Sequence, residues 1–472
     1  MHMGKTFEDL TVGDEAAITR VVTPDDMLVF AHVSGNLNPV NLPGSPGENG
    51  RSDAHPAPSM WLGSLFSAVL GNLLPGPGTL YVGQTLRFGK RAHVGETLTV
   101  RVTVAEKRSP RTAILRTRLL RGEEVLVDGE AEVLAPETRI VVPESQLPGV
   151  LVARHRHLER LLAASEALAP LATAVVAPEE ENALAGALAG MRARLIRPLL
   201  VGDEAKIRAV AAAHGLALDG AEIEHAASDD AAAARAVELV HAGRVAAIMK
   251  GHLHTDVLLH HVVKSQGGLR GTRRISHVFV MDAPALPQLL LVTDAAINIA
   301  PDLKTKVDIV QNAIDLAHAL GIAQPRVGIL AAVETVNPEM PSTLDAAALS
   351  KMADRGQIRG GIVDGPLAMD NAISLTAART KGLASLVAGR SDILVVPNLE
   401  AGNILAKELT YASQAEGAGL VLGAKVPIML TSRADDETSR LFSCVVAVLY
   451  AQWQATGASA VPELPEVKAE SL

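Results

Sequence analysis

The sequence predicts two folds in one chain, an α+β module to about residue 140 and then a larger α/β module. Three observations carry this. The chain has 472 residues, more than one hydrophobic core accommodates. Its first part pairs a long apolar helix with runs that alternate polar and apolar residues. The remainder repeats short apolar runs ending in glycine- or proline-bearing turns, with helix-like stretches between them.

In chain order, Pro24, Asp25 and Asp26 open a first helix, since proline and acidic side chains suit a helix start. The chain then enters a turn-rich stretch, Ser34-Gly35-Asn36-Leu37-Asn38-Pro39-Val40-Asn41. "APSMWLGSLFSAVLGNLL" is a longer helix, apolar on most sides and so buried on most sides. Four strands are expected over "TLYVGQTLRF", "ETLTVRVTVAEKR", "TAILRTRLLRG" and "EVLVDGEAEVLA". One buried helix wrapped by a curved antiparallel sheet is the hotdog arrangement. The expected boundaries are 1–140 for this module, 141–156 for a proline-punctuated linker and 157–465 for the rest.

In that last part nine strands are expected, from "ATAVVAP" through "RPLLVGD", "AAIMKG", "HVFVMD", "PQLLLVTD", "RVGILAAVE", "GGIVDGP" and "DILVVPN" to "VPIMLTSR". Alternation with helices implies a parallel sheet, with ligand groups at the C-terminal ends of its strands.

Composition narrows the function classes. The net charge of −9 disfavours nucleic acid as the main partner, because phosphate neutralisation wants a basic face. The single cysteine, Cys444, excludes an internal disulfide and fits a cytoplasmic location; its apolar surroundings make it core packing. No apolar run approaches the roughly 20 residues that cross a bilayer, so no membrane partner is expected. "HLHTDVLLHH" is rich in histidine, but it lacks a set of carboxylate partners, and no metal site is expected.

The strand ends carry chemistry-bearing residues: Lys250 and His254, Asp294 and Asn298, Glu334 and Asn337, Asp364, Asp370 and Asn371, Asn403 and Lys407, then Ser432, Arg433, Asp435 and Asp436. On "VDGPLAMDNAIS", "PNLEAGNILAKEL" and "MLTSRAD", the stretch from about His157 to Tyr450 resembles the phosphate acetyl/butyryltransferase family. The resemblance implies a fold like that of isocitrate/isopropylmalate dehydrogenases. Subdomain I would span about 157–295 plus the C-terminal helix, and subdomain II about 296–430, with an acyl-CoA cleft between them. It implies acyl transfer between coenzyme A and phosphate, both as substrates, with no bound cofactor. Arg433 would bind phosphate and Ser432 would stabilise the oxyanion. Asp435 or Asp436 would be the base. Lys250, Arg270, Arg274, Asn298 and Asn403 would contact substrate. The chemistry suits these types. A thiol of pKa about 8.5 needs a proton acceptor, a developing oxyanion needs a donor, and phosphate is matched by an arginine fork.

The N-terminal third, on "LPGPGTLYVGQTLRF" and "VGETLTVRVTVAEK", resembles MaoC-like (R)-specific enoyl-CoA hydratases. That family's loop reads Ser-Gly-Asp-x-Asn-Pro-x-His, and its Asp and His activate water. Here Asn36 and Asn41 occupy those two positions. An amide orients water but does not take its proton. Three readings follow: a module that has lost hydration, an active hydratase using His55, or an acyl-CoA-binding or oligomerisation module. The order of the modules resembles bifunctional enoyl-CoA hydratase/phosphate acetyltransferases, and a homo-oligomer, dimer or higher, is expected.

Overall fold

The computed structural model describes residues 2–43, 55–142, 155–432 and 435–462. The chain divides into two compact units, Met1–Val152 and Ala153–Leu472.

Unit 1 contains strands β1 (His2–Met3), β2 (Glu15–Val21), β3 (Leu80–Phe88), β4 (Thr97–Arg108), β5 (Thr112–Arg121), β6 (Glu124–Leu134) and β7 (Val141–Val142), with helices α1 (Pro24–Ser34) and α2 (Ser59–Asn72). β1 pairs with β7, and the other strands form an antiparallel sheet in the order β2-β4-β5-β6-β3. Thr23 and Asp26 form a capping box at the start of α1, satisfying backbone N–H groups that a helix leaves open. The helix stops at Gly35, whose φ of 70° favours a residue without Cβ. α2 buries Trp61, Leu62, Leu65, Phe66, Val69 and Leu70 in the same core as Leu98, Val100, Val102 and Val104 of β4. The four strands expected from alternation are all present. β2 was not anticipated, because its edge position leaves most of its side chains partly or fully exposed and its alternation faint.

Unit 2 contains β8 (Leu171–Val176), β9 (Ile196–Gly202), β10 (Glu222–His225), β11 (Ala247–Lys250), β12 (Ser276–Asp282), β13 (Leu290–Thr293), β14 (Arg326–Leu330), β15 (Ile362–Leu367), β16 (Ile393–Val395), β17 (Glu416–Leu422) and β18 (Ile428–Met429). Its helices are α3 (Arg156–Ser165), α4 (Glu181–Arg192), α5 (Glu204–His214), α6 (Asp229–His241), α7 (Thr255–Val262), α8 (Leu303–Ala319), α9 (Pro341–Asp354), α10 (Met369–Ile373), α11 (Leu375–Thr380), α12 (Leu399–Tyr411) and α13 (Glu437–Thr456). The strands form one sheet, in the order β10-β9-β8-β11-β18-β17-β12-β13-β16-β14-β15.

The sheet is mixed, which corrects the parallel expectation. β12 pairs antiparallel with both β13 and β17, and β17 antiparallel with β18. The reason is connection length. Residues 283–289 join β12 to β13 and residues 423–427 join β17 to β18, too few for the crossover that parallel neighbours need. The strands β10, β9, β8, β11 and β18 therefore run opposite to β13, β16, β14 and β15. Their C-terminal ends lie at opposite edges of the sheet.

One face of the sheet is covered by α3, α4, α5, α8, α9 and α13 in a continuous core. The other face carries two separate clusters, one under α6 and α7 and one under α10, α11 and α12. By strand alternation, Gly417, Gly419 and His277 share this second face with Val421 and Met281.

Candidate active site

Lys250 ends β11 and is 2% exposed, so it is not a solvated strand end. Its Nζ donates to the carbonyls of Thr431 and Gly251, each at 3.3 Å. Thr431 lies just past β18, the parallel neighbour of β11, and its Oγ1 donates to the Lys250 carbonyl at 3.3 Å. Ser432 follows at the surface, and its N–H donates to the Asp435 carboxylate at 2.7 Å. Burial pushes the Asp435 carboxyl above the usual carboxylate range, while the Ser432 N–H and the charges of Arg440 and Lys250 pull the other way. Asp436 is the N-cap of α13 and accepts from the Ser439 N–H at 2.9 Å. Of the two adjacent carboxylates, Asp435 is therefore the one beside Ser432. Arg433 lies outside the described residues.

Two residues of this cluster escaped the sequence reading. One is Thr431. The other is Arg440, which is 1% exposed and ties the cluster together from below. Its guanidinium donates to Thr431 Oγ1 at 2.8 Å, the Ser432 carbonyl at 3.0 Å, the Asp435 carbonyl at 3.3 Å and the Lys250 carbonyl at 3.4 Å. The available signal was an arginine at i−4 from Cys444, on the apolar face of "RLFSCVVAVLY".

Asn298 and its neighbours form a second group. Asn298 is buried; its Nδ2 donates to Asp294 at 2.6 Å and to the Ile275 carbonyl at 2.9 Å, while Arg274 Nε donates to its Oδ1 at 3.3 Å. Asp294 also accepts the N–H groups of Ala296, Ile297 and Asn298. Burial raises its carboxyl. Asn403 Nδ2 donates to the Ala295 carbonyl at 3.3 Å. These bonds hold the loop after β13. β13 runs opposite to β11, so this group sits at the other edge of the sheet from Lys250 and Ser432. Arg270 stands apart from both groups. Its Nε donates to the Val263 carbonyl, and it lines a surface hollow with His260, Lys264 and Gln266. A third group joins Lys381 to Glu334 and Asp370, with Asn371 donating to Glu334 at 3.2 Å.

In unit 1 the loop after α1 is held by its own amides. Asn36 Oδ1 accepts from the Asn38 N–H at 3.2 Å, and Asn38 Oδ1 from the Val40 N–H at 3.3 Å. Asn41 Nδ2 donates to the Pro56 carbonyl at 2.7 Å. His55 is buried, with Nδ1 3.4 Å from the Val40 carbonyl. Among the described residues no helix is long and apolar enough to cross a membrane.

Residues 130–448 match the family described as phosphate acetyl/butaryl transferase. The phosphate acetyltransferase of Rhizobium meliloti is 59% identical over 293 residues, which are 62% of this chain and 93% of that protein. Among solved structures, a branched-chain phosphotransacylase from Enterococcus faecalis V583 is similar at 30% identity and a TM-score of 0.52, over 60% of this chain and 99% of that one. An R-hydratase from Pseudomonas aeruginosa, in the unliganded form, is similar at 35% identity and a TM-score of 0.31, over 32% of this chain and 99% of that one.

Proposed function

Because the chain belongs to the phosphate acetyl/butyryltransferase family and is an enzyme of that kind, we propose that unit 2 converts acyl-CoA and phosphate to acyl phosphate and CoA at the Lys250–Ser432–Asp435 cluster. The observation that carries the placement is the Asp435 carboxylate, half-buried and 2.7 Å from the Ser432 N–H. A phosphate oxygen attacks the thioester carbonyl carbon, forming a C–O bond and a tetrahedral oxyanion. The Ser432 hydroxyl donates to that oxyanion. The C–S bond then breaks, and the departing thiolate takes its proton from Asp435. A carboxyl raised by burial suits this donor, and in the reverse direction its carboxylate accepts the thiol proton. Arg433 supplies the fork for phosphate, and the charge of Lys250 adds to the positive field. Arg274, Asn298 and Asn403 belong to the group at the other edge of the sheet and Arg270 stands apart, so none of the four is given a part in the step at Ser432. Acetyl, propionyl and butyryl chains differ by methylenes worth only about 1–3 kcal/mol each, so chain length is left to assay.

The test is phosphate-dependent thiol release from acetyl-, propionyl- and butyryl-CoA. Arg433→Ala is expected to abolish it. Undiminished turnover in that variant would sink the site assignment.

Unit 1 is best read as a hydratase-like module without the hydratase acid–base pair. Asn36 and Asn41 spend their amides on backbone groups of the loop. We infer an acyl-CoA-binding or oligomerisation role, with an active hydratase using His55 as the alternative that crotonyl-CoA hydration decides. Leu80, Tyr81 and Val82 support oligomerisation, as exposed apolar residues in β3, a strand at the edge of its sheet.

A further inference from the structure

We propose that Arg440 is the positioning residue of the acyl-transfer site, holding Thr431, Ser432 and Asp435 against the end of β11 from inside unit 2. This rests on the placement of the reaction at Ser432 and Asp435.

The location of Arg440 is unfavourable on ordinary grounds. A guanidinium at 1% exposure forgoes its hydration, which is unfavourable unless it is paired. Among the described residues no carboxylate lies within ion-pair distance of it. Its acceptors are three carbonyls and one hydroxyl. It also lies in the first turns of α13, where the helix dipole disfavours a cation. Burial accordingly pulls its pKa below the ordinary arginine value, with Asp435, Glu180, Cys444 and Asp436 opposing. Neither packing nor helix stability accounts for such a residue.

The four acceptors account for it. They belong to the ends of β11 and of the segment after β18, two stretches far apart in sequence. One planar fork fixes them relative to each other, which a flexible ammonium does less well. The surroundings are shaped to admit it. Gly186 of α4 lies over its aliphatic stem, and a Cβ there would stand 2.4 Å from Arg440 Cδ. Gly190, one turn on, similarly faces Cys444, where a Cβ would stand 2.9 Å from Sγ. α4 thus presents two glycines to the face of α13 that carries Arg440 and Cys444. The charge also bears on Asp435: Arg440 is among the groups that counter the effect of burial on that carboxyl.

The experiment uses the full chain with Arg440→Met, Arg440→Lys, Gly186→Ala and Asp435→Asn, assayed for phosphate-dependent thiol release from acetyl-CoA across pH. Arg440→Met is expected to lower kcat about 100-fold, the scale of a misplaced catalytic group. Its alkaline limb should move to higher pH, because Asp435, the proton donor in this direction, loses a neighbouring cation while Asp436 and Lys250 remain. Arg440→Lys should recover both in part. Gly186→Ala displaces the same side chain from the opposite helix. It is expected to cost about 10-fold alone and little when added to Arg440→Met, since two changes acting through one group are not additive. Wild-type kcat and pH profile in Arg440→Met, or full additivity with Gly186→Ala, would overturn the proposal. If Arg440→Met does not fold, the lysine and Gly186→Ala variants still decide it: wild-type kcat in both overturns it. Asp435→Asn separates the two readings. A retained alkaline limb there removes Asp435 as the proton donor, while the kcat loss of Arg440→Met continues to stand for positioning.

Discussion

At the scale of single residues, several side chains have roles that differ from what their types suggest. Cys444 is fully buried, and burial pushes its thiol up to about 12, so the reactive thiolate is not populated in the folded chain. Lys250 is a buried donor to the segment after β18. Asn36 and Asn41 hold a loop together. Asn41→Ala is expected to cost about 1 kcal/mol, one part-buried hydrogen bond, in a thermal melt, with acyl phosphate formation unchanged. The same protein offered crotonyl-CoA should hydrate it no faster than buffer. A hydration rate that vanishes in His55→Gln would instead return this loop to catalysis. Ser432 and Asp435 could be proposed together from sequence because they sit in one motif. Arg440 could not be, because its partners at 250, 431 and 432 meet it only after two strands pair and α13 packs beneath them.

At the scale of elements, α1 announces itself by its capping box and its terminal glycine. The strands of unit 2 announce themselves by apolar runs, except β10, a polar edge strand, and β17, whose Gly417 and Gly419 break the run. β12 holds an anomaly. His277 is fully buried against Phe279, and among the described residues neither ring nitrogen completes a hydrogen bond. The Leu430 backbone lies close enough to offset only a little of the burial cost, and burial lowers the imidazole to about 4. The unfolded chain then takes up a proton below about pH 6.5 that the folded chain refuses until about pH 4. Stability should therefore fall as pH drops through that window, by a contribution approaching about 3 kcal/mol. Comparing wild type with His277→Leu in urea melts from pH 7 to pH 4 checks this. The difference between the two should change across the window, and a constant difference would show that the ring carries no such linkage.

At the scale of the whole molecule, the Rhizobium relative is matched over 93% of its length, so little of that protein lies outside the match. Unit 2 alone, residues 153–472, is therefore expected to keep phosphate-dependent thiol release. Its mass in solution, by light scattering, is expected to correspond to fewer copies than the full chain, if the exposed residues of β3 mediate self-association. Loss of transfer on truncation would mean that unit 1 completes the site. By itself the sequence determined the two-module order, the buried helix α2 with its four following strands, and the motifs that resemble the transferase family. These are local signals: periodicity, caps and contiguous motifs are written along the chain. The tertiary structure decided that the large sheet is mixed, that its strand ends face opposite edges, and that Lys250 and Ser432 belong together while Asn298 and Asn403 form another group. Those outcomes depend on which strands pair and in which direction. Connection lengths and long-range packing set that choice, and neither is visible in any single stretch of residues.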